Sequence, residues 1–471
     1  MDLVIEPPAT TARVYRALRE AIVDGRLPGG HRLPASRALA ADLGVARNSV
    51  TGAYERLIAE GYLEARVGAG TFVVRLGGEP RPRRAPGDPL RPRADWAFAP
   101  MPVSGSAAPG YDFRIGIPDA QLFPFDHWRR LLAAEVRLRA NGPGTYAEPS
   151  GHPALRAAIA RYLGVSRSVR AGPDDVVVTN GTQHALDLIA RVMLRPGDTV
   201  AVEEPGYPPA RRLFASLGAR VVGVPVDDQG LVVEGLPANA RLVYSTPSHQ
   251  FPLGRAMSLA RRAALVDWAR RRPAAVVEDD YDSEFRFSAR PLEPLYSLDT
   301  AGRVLYVGTF SKSMIPAVRT GFVLAPSAVR VALVAARQLN DGYGQMPVQA
   351  ALARFIDEGQ LARHVRRASK VYARRHARIV AGLAALPGVD VVPSAAGLHV
   401  AALLRDGDVG RAARTVQAAA RAGVALDDLA AFGQPSATQA GFVFGFGAID
   451  ADRIDAGLAV FAAALRRGSG R

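Results

Sequence analysis

Only two of the 59 basic residues in this 471-residue chain are lysines, Lys312 and Lys370. Arginine serves wherever a plain positive charge suffices, so a lysine that persists is expected where an amine is needed. A guanidinium cannot replace an amine nucleophile. Lys370 lies in an arginine-rich helical stretch, residues 364–376, and reads as a solvated charge. Lys312 closes the run Val307-Gly308-Thr309-Phe310-Ser311-Lys312, at the end of a strand-like segment. An amine there can form a Schiff base with an aldehyde. Thr309, Ser311 and, seven residues on, Arg319 offer two hydroxyls and a forked cation, groups that can hold a phosphate.

Three further clusters suit the same chemistry. Asn180-Gly181-Thr182-Gln183 turns from an apolar run into a helix, and a helix N-terminus presents free N–H groups to a phosphate. Glu204-Pro205-Gly206-Tyr207 places a ring just past another apolar run, where it can stack on a planar cofactor. Val276-Val277-Glu278-Asp279-Asp280-Tyr281 sets three acids behind apolar residues, and such acids are not buried cheaply without partners. A carboxylate beside a pyridine nitrogen favours its protonated form and strengthens the ring as an electron sink. The sequence does not choose between Asp279 and Asp280 for that place.

These clusters sit at the ends of β-like runs at residues 176–179, 199–203, 220–224, 242–245, 275–279, 304–308 and 321–325, which alternate with helical stretches. Such alternation predicts an α/β domain with a mainly parallel central sheet, whose ligands gather at the strand C-terminal ends.

The first 75 residues read differently. Val14, Leu18, Ala21 and Ile22 share one face of a helix over residues 11–22. Leu27-Pro28-Gly29-Gly30 is a turn. Ser36 is expected to cap a helix to residue 43, Gly44 supplies a tight turn, and a second helix follows over about 46–60. Val50, Tyr54, Leu57 and Ile58 form its buried face, and Arg47-Asn48-Ser49 with Thr51 its polar leading edge. Residues 62–66 and 71–74 read as two strands around a glycine-rich turn. This is the order of a winged helix-turn-helix, which inserts the start of its second motif helix into the DNA major groove. Residues 1–75 hold 10 arginines and 8 acids. So weak a bias favours sequence-specific, dimeric contact over a polybasic clamp. Residues 76–110, with Pro80, Pro82, Pro86, Pro89 and Pro92, read as a semi-rigid tether.

With 48% hydrophobic and 22% charged residues the chain can bury large cores, and its length excludes a single small module. There are no cysteines, which excludes disulfides and thiolate metal sites and fits a reducing compartment. Neither a signal peptide nor a membrane span is expected, and no metal site. A cytoplasmic location follows as the expectation.

The segment "RLPASRALAADLGVARNSVTGAYERLIAEGYLEARVGAGTFV" resembles the GntR family of regulators. The rest resembles fold-type I pyridoxal-phosphate aminotransferases. The joined architecture resembles the MocR (GabR-type) subfamily, through "FRIGIPDAQLFPFDHW", "NGTQHALDL", "EEPGYPPAR", "TPSHQFPLG", "VVEDDYDSEFR", "GTFSKSMIPAVRTGF" and "AAGLHV". The resemblance implies an N-terminal winged helix-turn-helix (residues 1–75), a linker (76–110) and an aminotransferase-like effector domain (111–471) whose smaller α+β subdomain begins near residue 370. It implies pyridoxal 5'-phosphate as cofactor, covalently joined to Lys312. Asp279 would pair with the pyridine nitrogen, Tyr281 contact the ring hydroxyl and Tyr207 stack on the ring. Thr182, Gln183, Thr309, Ser311 and Arg319 would surround the phosphate, with Tyr146 reaching the partner subunit's phosphate in a head-to-tail homodimer. Arg37 and Arg47 would reach phosphates or base edges of double-stranded operator DNA, beside Ser49 and Thr51, with Gly70 in the wing.

The departures from the family pattern concern the ligand. Gln250-Phe251-Pro252-Leu253-Gly254 stands where aminotransferases carry an Asn-Pro-Thr-Gly-like segment. Pro209 stands where amino-acid-binding relatives carry a carboxylate-gripping arginine, and residues 440–449 offer no cation for a second. Losing a bidentate arginine removes roughly 1.5–3 kcal/mol. Arg211 and Arg212 are the available substitutes. The expectation is a regulator that binds operator DNA and senses pyridoxal phosphate or its adduct with an amine or amino acid. Full transamination is the rival reading.

Overall fold

The computed structural model describes residues 10–75, 96, 109–137, 146–287, 292–434 and 439–468. The tether expected over residues 76–110 thus falls almost wholly outside the described residues. The chain forms two compact units, one within residues 1–93 and one within 94–471.

In the first unit the helices are α1 (Thr11–Val23), α2 (Ser36–Leu43) and α3 (Arg47–Ala59). The strands are β1 (Arg32–Leu33), β2 (Leu63–Arg66) and β3 (Gly70–Val73), forming a sheet of order β1-β3-β2. Val14, Leu18, Leu39, Val50, Ala53 and Leu57 build one core. Gly44 ends α2 at φ +63°, a left-handed conformation that a Cβ disfavours, and so sets the turn into α3. Two expectations are corrected. Ser36 is the first helical residue rather than the cap; Ala35 occupies the cap and no side chain bonds there. Ile58 is 37% exposed, because the apolar stripe of α3 is completed by Ala53 instead.

In the second unit an eight-stranded sheet comprises β4 (Val176–Thr179), β5 (Thr199–Glu204), β6 (Arg220–Asp227), β7 (Gly230–Leu231), β8 (Ala240–Ser245), β9 (Ala275–Asp280), β10 (Val304–Thr309) and β11 (Gly321–Leu324). Their order is β4-β11-β10-β9-β8-β5-β6-β7. Neighbours from β10 through β6 run parallel, whereas β11 is antiparallel to both β10 and β4. Helices cover both faces, so the strands read as continuous apolar runs. On β9, Val277 packs with α4 (Thr182–Met193) and α5 (Pro208–Ser216), while Val276 packs against α6 (Leu259–Arg270) on the other face. C-terminally, the helix Gln360–Ala384 leads into a four-stranded sheet that includes Val389–Val391, His399–Leu404 and Gly441–Gly445, giving a smaller α+β region with its own aromatic core around Phe442, Phe444 and Phe461. Lys370 is exposed on that long helix. Among the described residues no helix is long and apolar enough to cross a membrane.

Candidate cofactor cavity and DNA-reading surface

The C-terminal ends of β8, β9 and β10 and the start of α4 converge on a cavity of about 190 Å³. Its lining includes Thr182, Gln183, Tyr207, Asp279, Tyr281, Thr309, Ser311, Lys312 and Arg319. Residues separated by 137 positions in sequence, Thr182 and Arg319, are thereby brought to one end. Of the cofactor residues expected from sequence, Tyr146 alone does not line the cavity. Its ring is 93% exposed, 6.4 Å from Tyr343.

Strand alternation separates the neighbouring acids. Asp279 shares its face with Val277 and points into the cavity; Asp280 points to the opposite face, where it pairs with Arg167 at 2.7 Å and accepts from Tyr306 at 2.5 Å. Burial alone would raise the Asp280 pKa, but Arg167 and Tyr306 hold it below the ordinary value. Among the described residues no cation forms an ion pair with Asp279. Burial pushes its carboxyl up to about 7, against the pull of Tyr244, whose hydroxyl donates to Oδ2 at 2.7 Å. Its Oδ1 is buried without a partner among the described residues.

Lys312 Nζ donates to the Gly116 carbonyl at 2.7 Å. Gly116 has φ +76°, a conformation that favours glycine, and a Cβ there would stand 2.9 Å from Nζ. Burial lowers the Lys312 pKa, with Asp282 and Asp279 opposing. An amine so placed is nearer its nucleophilic form at neutral pH.

At the other end, Gly181 caps α4 and Thr182 and Gln183 open it. Gln183 donates to the Pro209 carbonyl at 3.1 Å, leaving its Oε1 buried and unpartnered. Thr309 Oγ1 lies 3.1 Å from Ser311 Oγ and accepts from the Ser311 N–H at 3.2 Å. Arg319 adopts φ +47°, rare for a residue with a side chain, and donates to the Asn180 carbonyl at 3.0 Å. Helix N–H groups, two hydroxyls and a guanidinium form a cradle for a phosphate. Between the ends lie Tyr207, roughly parallel to Tyr244 with centroids 6.5 Å apart, and Tyr281, which donates to the His249 carbonyl at 2.9 Å. An amine, an unpartnered carboxylate oxygen, a ring platform and an anion cradle fit pyridoxal phosphate.

Sequence reasoning missed Gly116, Tyr244, Thr246, Phe251, Asp282, Pro316, Leu398 and His399 in this lining. The signal available was in the segments carrying His249, between Ser248 and Gln250, and His399, between Leu398 and Val400. Donor atoms of His249, Asp282 and His399 lie within 4.8 Å of one another, a grouping that the expectation of no metal site did not foresee. Asp282 is already engaged: it accepts from His249 Nδ1 at 3.0 and 3.1 Å and from the Leu398 N–H at 3.2 Å. Arg211, a substitute for the missing carboxylate grip, pairs instead with Glu204, and neither it nor Arg212 lines the cavity.

In the first unit Arg37 and Arg47 are exposed at the starts of α2 and α3, and Ser49 and Thr51 are half-buried. The Thr51 hydroxyl donates to the Arg47 carbonyl at 3.1 Å. Gly70 opens β3 at φ +113°, and Arg32, which sequence reasoning did not single out, lies against it: a Cβ on Gly70 would stand 3.0 Å from Nε.

Fold and site together define a winged helix-turn-helix reader carried on one chain with an aminotransferase-fold domain. Residues 10–73 match the family described as "Bacterial regulatory proteins, gntR family", and residues 113–438 match "Aminotransferase class I and II". The chain is 40% identical over 374 residues to the probable rhizopine catabolism regulatory protein MocR of Rhizobium meliloti, covering 78% of this chain and 76% of that one. It is 32% identical to the pyridoxine biosynthesis transcriptional regulator PdxR of Corynebacterium glutamicum, covering 95% and 94%. The kynurenine aminotransferase of Pyrococcus horikoshii superposes with a TM-score of 0.72 at 28% identity, covering 78% of this chain and 93% of that one. The chain belongs to the MocR-type GntR regulators, in which a winged helix-turn-helix is fused to a fold-type I aminotransferase domain.

Proposed function

We propose that this regulator binds double-stranded operator DNA through residues 10–75 and senses pyridoxal phosphate, or its adduct with an amine, in the cavity around Lys312. The observation that carries the reading is the convergence of Lys312, Asp279 and the Arg319 cradle in one cavity, on a chain that also bears a GntR-type reader. When bound, the cofactor supplies an aldehyde that captures amines and a pyridinium that withdraws electrons. Lys312 holds it covalently, Asp279 faces its ring nitrogen, Tyr281 its ring hydroxyl and Tyr207 its ring face. Thr182, Gln183, Thr309, Ser311 and Arg319 hold its phosphate. Arg37, Arg47, Ser49, Thr51 and Gly70 face the DNA. Exposure of Tyr146 beside Tyr343 supports a head-to-tail homodimer in which that tyrosine serves the partner's cavity. Residues 76–110 tether the two domains. Affinity of the pyridoxine biosynthesis regulator's sequence to this one over nearly the whole chain supports the cofactor itself as signal.

Sensing requires that the cofactor bind one arrangement of the reader pair more tightly than another. Operator affinity and footprint, measured with and without pyridoxal phosphate, are expected to differ; identical values overturn the sensing reading. The complete Lys312–Asp279–Arg319 set also favours a second reading, residual transamination. Repeated turnover of an amino acid and a keto acid would support it, and a single stoichiometric spectral change would not.

A further inference from the structure

Arg319 rests on a carbonyl, and the groups that fix that carbonyl lie outside the cavity lining. The Asn180 C=O accepts from Arg319 Nη2 at 3.0 Å, and the guanidinium lies across Gly181, where a Cβ would stand 3.5 Å from Nη1. On the other side of the same residue, the Asn180 N–H donates to His184 Nδ1 at 3.0 Å. The Asn180 side chain donates through Nδ2 to Asp341 at 2.5 Å, and Asp341 is in turn held by Arg337 Nε at 3.3 Å. Asn180 joins β4 to α4, so these contacts set the turn that presents its carbonyl to Arg319.

A backbone N–H can only donate, so His184 Nδ1 carries a lone pair. The neutral ring then has its proton on Nε2, which is buried without a hydrogen-bond partner among the described residues and stands 3.9 Å from Asp341 Oδ1. A protonated ring bears hydrogens on both nitrogens and would set two donors against each other at Nδ1. Burial holds the ring below its ordinary 6.5; Asp341 and Asp187 pull it up, and Arg337 and Arg319 push it down. His184 is the third residue of α4, a place from which side chains satisfy free N–H groups of the chain entering a helix. A cap alone would steady the helix and nothing else. Here the capped residue is the one on which Arg319 rests.

We infer that His184 is a positioning residue for the phosphate cradle: by accepting the Asn180 N–H it fixes the carbonyl that holds Arg319, and so governs affinity for the phosphorylated form of the cofactor. Protonating the ring removes that acceptor and loosens the guanidinium. The neutral ring is the form that keeps the cradle assembled. The inference rests on the reading of the cavity as a pyridoxal-phosphate site.

The test is an absorbance titration of the full-length protein with pyridoxal phosphate and with unphosphorylated pyridoxal, from about pH 5 to about pH 8, for the wild type, His184→Asn and His184→Leu. Asparagine keeps an acceptor near the place of Nδ1 and does not titrate; leucine keeps none. At the upper pH, His184→Leu is expected to bind pyridoxal phosphate about tenfold more weakly than the wild type, and His184→Asn nearly as tightly as the wild type. All three should bind pyridoxal alike. As pH falls below 6.5, the ratio of wild-type to His184→Asn affinity for pyridoxal phosphate should fall towards that of His184→Leu. Protonation of the cofactor's own phosphate is common to the proteins and cancels in the ratio. Equal loss of both ligands in His184→Leu, or a wild-type to His184→Asn ratio unchanged with pH, overturns the inference. If His184→Leu does not fold, the ratio decides by itself. A wild-type protein that shows no bound-cofactor absorbance, or that takes pyridoxal as tightly as pyridoxal phosphate, would instead overturn the reading of the cavity beneath it.

Discussion

Tyr244 on β8 and Asp279 on the adjacent β9 share a buried hydrogen bond of 2.7 Å that fixes one carboxylate oxygen and leaves the other buried without a partner among the described residues. Burial has raised this carboxyl from 3.8 to about 7, so ionising it in the ligand-free fold is unfavourable. The sign follows from proton binding. Between those two values the folded state holds a proton that the unfolded state releases, so this group's contribution to stability falls as pH rises from 3.8 through about 7. Glu278 and Glu284 are raised in the same direction, but an Asp279→Asn variant shares them. The cofactor-free Asp279→Asn protein is therefore expected to gain on the wild type across this window. The gain should reach a few degrees in melting temperature by pH 8, at about 2–4 °C per kcal/mol. Added pyridoxal phosphate should stabilise the wild type and not the variant. Parallel melting curves from pH 4 to 8 check both.

Lys312 provides a kinetic counterpart. Only the unprotonated amine attacks an aldehyde, so covalent capture of pyridoxal phosphate should accelerate with pH and level off below the ordinary lysine value of 10.5. Asp282 opposes the lowering, so Asp282→Asn should move the plateau to lower pH. Stopped-flow absorbance gives the profile, and borohydride trapping with mass spectrometry should place the added mass at position 312 and nowhere in Lys312→Ala. A plateau unmoved by Asp282→Asn would separate the amine from that carboxylate.

Arg319 should matter for one half of the cofactor only. Removing its guanidinium takes a charge-assisted contact from the phosphate, so Arg319→Ala is expected to weaken pyridoxal phosphate by roughly 10- to 100-fold. Unphosphorylated pyridoxal should bind the variant and the wild type alike. Equal losses for both would mean that the φ +47° turn, rather than the guanidinium contact, had been damaged.

Much of this architecture was legible because the chemistry sits where strands end. Buried parallel strands read as apolar runs, and the residues that terminate them, Asp279, Lys312 and Tyr207, interrupt those runs visibly. The choice between Asp279 and Asp280 was not legible, since it depends on which sheet face meets Arg167, the last residue of the helix Pro153–Arg167, more than a hundred positions earlier. His249 and His399 lie 150 positions apart and become neighbours only when the strand beginning at His399 packs beside the 249–254 turn. Strand β1 is two residues long, too short for any periodicity, and with it Arg32 escaped notice.

The DNA reader makes the last prediction. Arg47 begins α3, the helix that a winged helix-turn-helix directs into the major groove, whereas Arg37 lies in the first turn of α2, the helix that such a motif lays across the backbone. Contacts of the two kinds respond differently to sequence and salt. Against duplexes selected from a random pool by the wild-type protein, Arg47→Ala should cost about 1–3 kcal/mol and relax the preference at one base pair, with little loss on unselected DNA. Arg37→Ala should weaken selected and unselected duplexes alike and reduce the slope of log affinity against log salt by about 1. Fluorescence anisotropy across a salt series resolves the two patterns, and an exchange of them would reassign which arginine reads bases and which anchors the phosphates.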